Sequence, residues 1–201
     1  MNVARHLLPL ACLLIGACSF LEPCADPTRY FVLAPETTNA ALTESTQLTL
    51  VVGPVQLPDY LLRPEIVRRA GPNQVEPSQI DRWAEPIDRA FLRMLWLDLA
   101  VRLPQCSVVP FPSSASKDAV GVEIEVMAFE ADRAGIARLE GSWHLRDAPE
   151  GQRAAHAFRL ERAAGSGETA AVVGAMSGLV GELAGQIAGE LGGGAAASPG
   201  S

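Results

Sequence analysis

Three consecutive segments in the second half of the chain alternate apolar and polar residues, and this pattern constrains the fold most. The segments are 119–129, 136–145 and 154–162, and they are separated by the turn sequences ADRAG and DAPEG. A period of two residues predicts strands with one apolar and one polar face. Turns this short join antiparallel neighbours, so we expect a meander with one face open to water.

Two helices are predicted to cover the apolar face of these strands. The first is predicted over 86–103 and the second over 168–191, because apolar residues recur every three or four positions in both segments. Pro86 suits the first helical position, and Pro104 ends the helix.

Strand patterns also precede the first helix. We expect strands at 30–35 and 46–58, the latter with a bulge or an edge at Gly53-Pro54, and a hairpin over 64–77. The order of strands, helix, strands and helix predicts an α+β fold. Its two layers would be an antiparallel or mixed β-sheet and two main helices packed on it.

The second helix contains five glycines, at positions 174, 178, 181, 185 and 189. Their spacing raises a transmembrane alternative, because small residues four apart form dimer faces between membrane helices. Glu182 and Glu190 interrupt the pattern, and ionised carboxylates are expensive in hydrocarbon. We therefore predict a helix that lies close to the sheet or to a neighbouring subunit.

The start of the chain resembles a bacterial lipoprotein signal. Arg5 gives a positive charge, residues 7–17 are uncharged, and small residues directly precede Cys18. This uncharged run is shorter than the about 20 residues that span a membrane, so a cleaved signal peptide is predicted. The lipobox-like pattern at 15–18 implies cleavage before Cys18 and acylation of that residue. An ordinary signal peptide that happens to contain a cysteine is the alternative.

This interpretation divides the chain into four segments. They are a lipoprotein signal peptide at 1–17, a tether at 18–28, one domain at 29–192 and a disordered tail at 193–201. Residue Ser19, in place of an aspartate, favours the outer membrane by resemblance to enterobacterial lipoprotein sorting.

Two cysteines are left once the signal is removed and Cys18 carries lipid. They are Cys24 and Cys106. Because the periplasm is oxidising, a disulfide between them is a hypothesis, with two separate thiols as the alternative.

Charge disfavours two classes of binding. The formal net charge is −7, and Lys117 is the single lysine, so no nucleic-acid partner is expected. The acidic balance also disfavours electrostatic docking to anionic lipid headgroups. Any contact with lipid must therefore be made by apolar surface.

The residue types that carry catalysis or bind metals do not form a recognisable arrangement. His144 and His156 could meet across adjacent strands, but no metal-binding spacing of histidine and carboxylate accompanies them. Ser177 lacks the glycine two residues earlier that a nucleophile elbow requires. Glu123 and Glu125 are interpreted as a solvated strand face rather than an acid–base pair. The sequence therefore predicts a protein that is not an enzyme and has no metal or cofactor.

Two blocks rich in proline and charged residues carry a family resemblance. They read GPVQLPDYLLRPEIVRR at 53–69 and DRWAEPIDRAF at 81–91, and they predict rigid, shaped loops. With the lipobox, they resemble the ABC-type transport auxiliary lipoproteins over nearly the whole mature chain. Leu62 departs from the family pattern, which has a polar residue before Arg-Pro. Further matching positions are Tyr30–Leu33, Met176–Ser177 and Ile187–Ala188.

The resemblance implies a non-enzymatic accessory subunit of an intermembrane lipid transport system that maintains envelope integrity. Its implied partners are an MCE-domain protein and the inner-membrane permease and ATPase of the same system. The acyl anchor would hold it on the outer membrane, facing the periplasm. The candidate partner contacts are Tyr60, Leu61, Arg63, Pro64, Arg82, Trp83, Glu85 and Pro86.

Other functions stay open at this point. A periplasmic lipid carrier would need an apolar pocket between the sheet and the helices. An envelope hydrolase is disfavoured, because a nucleophile and a base are missing. A homo-oligomer also stays open, with the glycine-rich helix as one contact.

Overall fold

The computed structural model describes residues 25–35, 48–113, 119–147, 151–152 and 155–195. Within this part of the chain, nine strands form one mixed sheet, and two long helices pack on it. The prediction of a two-layer α+β fold is therefore confirmed. The signal peptide, Cys18, Cys24 and the tail from residue 196 onward lie outside the described residues.

The elements follow the predicted order of strands, helix, strands and helix. The strands are β1 (Arg29–Phe31), β2 (Thr49–Gln56), β3 (Glu65–Gly71), β4 (Gln74–Trp83), β5 (Ser107–Pro110), β6 (Val120–Asp132), β7 (Ile136–Asp147), β8 (Gly151–Gln152) and β9 (His156–Ala163). The helices are α1 (Ile87–Arg102) and α2 (Thr169–Ala195), and a short 3-10 helix covers Asp59–Leu61.

The predicted meander is confirmed as strands β6, β7 and β9. β7 pairs antiparallel with β6 on one side and with β9 on the other. Its inward positions are apolar and buried, as in the cross-strand pairs Ile124–Trp143 and Leu139–Leu160. The outward positions carry charged side chains that form ion pairs across the strands. One face is therefore wet and the other is available to the helices.

The first half of the chain joins the meander through parallel pairs. β2 lies between β5 and β6 and runs parallel to both. β3 runs parallel to the last residues of β6, and β1 runs parallel to β4. The predicted hairpin is confirmed as β3 and β4, which are antiparallel. The sheet is therefore mixed.

The predicted interruption of β2 is confirmed at Gly53. This residue has a φ of 106°, a conformation that favours glycine, and the register of β2 against β6 shifts between Val52 and Val55. A Cβ at Gly53 would also lie 3.1 Å from the Cβ of Phe111.

The core lies between the sheet and the two helices. The apolar stripe of α1 is buried, and the ring of Phe91 packs edge-on against Phe129 on β6, with ring centroids 5.2 Å apart. Leu179 and Leu183 on α2 are fully buried in the same layer. The space between the sheet and the helices is therefore lined by fully buried apolar side chains.

Helix α2 is a core helix whose glycines face α1 at two positions. Arg102 donates a 3.1 Å hydrogen bond to the carbonyl of Gly181, and a Cβ at Gly185 would lie 3.8 Å from Cζ of Arg102. The segment Thr169–Leu191 is long and apolar enough to cross a membrane, but 67% of its most apolar 18-residue window is buried inside the fold. Burial against the sheet and α1 accounts for its apolar composition.

Candidate functional site

The two sequence blocks meet at one surface groove beside the start of α1. Residues 62–64 form one wall, and residues 83–88 form the other, around a volume of about 360 Å³. The amide of Trp83 donates a 2.7 Å hydrogen bond to the carbonyl of Pro64, which fixes the two walls together. The lining is mainly apolar, with Arg63, Glu85 and Asp88 as its charged members.

Local backbone geometry presents Leu62 to solvent in this groove. The 3-10 helix is closed by a 2.9 Å hydrogen bond from the Leu61 amide to the Pro58 carbonyl, and the Leu61 side chain is buried. The next residue, Leu62, therefore points outward. On the opposite wall, Pro86 accepts the first hydrogen bond of α1, from the amide of Ala90.

A shared carboxylate links the charged residues of the two blocks. Glu65 accepts a 2.5 Å hydrogen bond from Arg82 and a 3.1 Å hydrogen bond from Arg63. The hydrogen bond from Arg82 is the main reason that the pKa of Glu65 lies below its ordinary value. The two arginines are therefore held side by side.

Glu85 is fixed by a residue of α1. Its carboxylate lies 2.5 Å from Arg93, which also donates a 3.3 Å hydrogen bond to the carbonyl of Leu33. The groove wall is thereby tied to the segment that follows β1.

A buried carboxylate on β6 binds two residues of the first block, Tyr60 and Arg69. Glu130 on β6 accepts a 2.8 Å hydrogen bond from the hydroxyl of Tyr60, and Arg69 lies 2.6 Å from the same carboxylate. Burial raises the pKa of Tyr60, and the hydrogen bond to Glu130 raises it further. The pKa of Arg69 is raised as well, chiefly by its hydrogen bond to Glu130.

The structure thus separates the eight predicted contact residues into two sets. Leu61 and Trp83 are buried, and Tyr60 is half-buried over Glu130; of these three, Trp83 lines the groove. The set at the surface comprises Arg63, Pro64, Arg82, Glu85 and Pro86, with Arg82 and Glu85 partly buried.

A second buried carboxylate, which the sequence analysis missed, joins three elements. Asp81 on β4 accepts hydrogen bonds of 2.7 Å from Arg29 on β1 and 2.6 Å from Thr169 on α2. Burial alone would raise the pKa of Asp81, but the hydrogen bonds from Arg29 and Thr169 outweigh it, so the pKa lies below its ordinary value. The alternation of residues along β4 does not indicate that Asp81 has partners on β1 and α2.

Ser177 has a structural contact. Its hydroxyl donates a 2.9 Å hydrogen bond to the Val173 carbonyl and accepts a 3.2 Å hydrogen bond from the amide of Ala34. This contact fastens the segment after β1 to α2.

The two histidines face opposite sides of the sheet. His144 lies 3.0 Å from Glu123 on the wet face, whereas His156 stacks on Trp143, with ring centroids 4.3 Å apart. No three His, Cys, Asp or Glu side chains in the described part of the chain are grouped so that they could hold a metal ion.

Cys106 is a buried thiol. Burial raises its pKa above the ordinary value. Its predicted disulfide partner, Cys24, lies outside the described residues, so the disulfide stays a prediction.

Comparisons with known proteins agree with the fold. A family model described as "ABC-type transport auxiliary lipoprotein component" matches residues 31–188. No curated protein matches the sequence. Two crystal structures are similar in fold. One is an uncharacterized protein, at 22% identity and a TM-score of 0.69, covering 82% of this chain and 98% of its own. The other is a Xanthomonas campestris protein of the DUF330 family, at 20% identity and a TM-score of 0.62. The match covers 82% of this chain and 94% of that protein.

Proposed function

The chain belongs to the family of ABC-type transport auxiliary lipoprotein components, and from that membership we propose a specific role. The protein is a non-enzymatic accessory subunit of an MCE-type intermembrane lipid transport system. Acyl chains at Cys18 hold it on the periplasmic face of the outer membrane, and its globular domain receives the MCE-domain partner of the inner-membrane permease and ATPase.

The observation that carries this proposal is the convergence of the two blocks on one groove. Their residues 62–64 and 83–88 lie at the two open ends of the β3–β4 hairpin, and both contribute walls to the same surface depression. Apolar walls with a few charged groups are typical of sites that bind a partner's side chains, because apolar burial gives affinity and polar groups give orientation. The groove therefore fits a short partner segment rather than a whole lipid.

The anchor also explains why a small groove is sufficient. Tethering to the membrane raises the effective concentration of the domain near a conduit that reaches the same membrane. Modest affinity at the groove then gives a stable assembly.

The alternative function, a lipid carrier, has less support. Phe91, Leu95 and Leu179 are completely buried between the sheet and the helices, where a carrier would hold its acyl chains. Native mass spectrometry of the gently purified protein distinguishes the two functions, because a carrier would retain phospholipid.

Site-specific crosslinking in the native host tests the proposal. A photo-crosslinking amino acid at Leu62 should capture the MCE-domain protein, whereas the same group at Met127, which is exposed on β6, should not. Replacing Leu62 with aspartate should reduce co-purification of that protein, and Met127→Asp should not. Equal capture at both positions, or co-purification that Leu62→Asp leaves unchanged, would count against the role.

A further inference from the structure

Three of the six large apolar side chains exposed in the described residues lie at one corner of the domain, beside the groove that Leu62 lines. Tyr30 is 65% exposed, Val32 52% and Ile80 36%. We call these three side chains the N-terminal patch. Scattered single apolar residues are normal on a protein surface, but a group of this kind marks an interaction site.

Strand pairing makes the N-terminal patch continuous. Tyr30 lies beside Arg82 in the parallel ladder of β1 and β4, and Ile80 is two positions before Arg82, on the same face. The amide of Ala84 donates to the carbonyl of Phe31, so Val32 follows at the edge of the groove that Leu62 lines. The patch and the groove therefore share one surface.

Charges around the N-terminal patch balance. Arg29 pairs with Asp81, and Arg63 and Arg82 both pair with Glu65. Asp26 adds a third carboxylate within reach of the charge of Arg82. Attraction to anionic groups is therefore a minor contribution, and apolar contact must provide the binding.

The position of the N-terminal patch identifies its occupant. Ala25 is the first described residue, and the chain before it leads to Cys18. An extended chain spans at most about 3.3–3.6 Å per residue, so Tyr30 lies within about 40 Å of the acylated cysteine. The corner of the domain that carries the exposed apolar side chains is thus the corner at which the tether enters the domain.

We propose that the N-terminal patch rests on the lipid leaflet that holds the acyl chains, with its three side chains in the interfacial zone. Tyrosine is enriched at this depth, and arginine can bury its aliphatic stem there while its charge stays in water. The groove then opens directly at the membrane surface. This inference rests on the proposed anchor at Cys18.

Tryptophan quenching in vesicles tests this contact. The full acylated chain is purified from its host as the Tyr30→Trp and Met127→Trp variants and reconstituted into phosphatidylcholine vesicles with brominated acyl chains. Met127 is 64% exposed, so the two sites are matched in solvent exposure. Relative to the unsubstituted protein, the tryptophan introduced at position 30 should be quenched at least threefold more than the one at position 127. Val32→Trp is a second reporter if Tyr30→Trp does not fold.

Three results would overturn the membrane contact. Equal quenching at positions 30 and 127 means that the patch does not touch lipid. Quenching that requires phosphatidylglycerol, or that disappears at high salt, means that charge rather than apolar burial provides the binding. Protection of position 30 from both brominated lipid and iodide, with crosslinks between copies, means that a second copy covers the patch.

Mass spectrometry of the same samples separates this inference from the proposed function. Acylated Cys18 without quenching at position 30 overturns the membrane contact alone, and capture of the partner at Leu62 is then unaffected. An unmodified Cys18 overturns the tether and the membrane contact together.

Discussion

The hydroxyl of Tyr60 donates a 2.8 Å hydrogen bond to the carboxylate of Glu130, 70 positions further along the chain. Arg69 pairs with the same carboxylate, and the amide of Phe129 donates to it at 3.1 Å. A buried acid on the otherwise wet face of the sheet is thereby satisfied. The 3-10 helix that carries Tyr60 is held on β6, so the geometry of the groove depends on the meander.

Replacing Tyr60 with phenylalanine should lower the free energy of unfolding by about 1.5–3 kcal/mol, because a hydrogen bond to a charged group is lost in a buried site. Urea unfolding followed by circular dichroism measures the difference. Tyr30→Phe, which removes a hydroxyl from a well-exposed ring, is the control and should change stability by less than about 0.5 kcal/mol. Equal stability of the two variants would show that the Tyr60 hydrogen bond contributes nothing net.

Arg69→Met should be more damaging than the loss of an exposed arginine. It leaves the Glu130 carboxylate buried without its cation, for which a loss of about 3 kcal/mol is expected. Arg133→Met breaks the exposed pair with Glu76 and should cost less than about 1 kcal/mol. Adding Glu130→Gln to Arg69→Met should restore part of the lost stability in urea unfolding. A double variant that is less stable than Arg69→Met would contradict the charge argument.

The stability contributed by Asp81 should depend on pH in a defined direction. The pKa of Asp81 lies below its ordinary value of 3.8, so the ionised form stabilises the fold above about pH 4. This contribution is lost as the pH falls through the lowered pKa. The difference in unfolding free energy between the wild-type protein and Asp81→Asn should therefore be large at pH 7 and narrow below pH 3.8. Asp59→Asn, at an exposed aspartate, is the control. If the difference in unfolding free energy between the wild-type protein and Asp81→Asn stays constant down to pH 2.5, the linkage is disproved.

Two glycines should respond oppositely to alanine. A Cβ at Gly141 would overlap the carbonyl oxygen of Glu125 and lie 2.8 Å from Cζ of Phe158, so Gly141→Ala should destabilise by about 3 kcal/mol. A Cβ at Gly174 on α2 meets no atom within 4 Å, and alanine there should stabilise by about 0.5–1 kcal/mol. Thermal unfolding of both variants measures the contrast, and a stable Gly141→Ala would mean that β6 and β7 can separate locally.

Elements governed by a local period could be predicted from the sequence. The stripe from Ile87 to Leu99 and the alternation in β6 and β7 follow from residue spacing alone, because burial on one face selects apolar residues at a fixed interval. The two blocks were singled out by their family resemblance, because their prolines and charged residues alone predict only rigid, shaped loops; residues 62–64 and 83–88 of these blocks line the groove.

Long-range contacts could not be predicted in the same way. The parallel pairing of β2 with β5 and β6 depends on the crossover through α1. The residue pattern of a single strand does not show which strand it pairs with. Glu130 has the spacing of an outward-facing residue, and only its partners Tyr60 and Arg69 show that it is covered. Asp81 is similar, because its partners come from the first strand and the last helix.

The bonds from Arg29 to Asp81 and from Thr169 to Asp81 give the domain a mechanical property. If the chain is anchored at Cys18 as proposed, a force transmitted along it reaches β1 before any other strand. There it acts on β4 through the ladder and on the beginning of the deeply buried α2 through Asp81. Tension on the N-terminal strand is thus shared with β4 and with α2 through the carboxylate of Asp81.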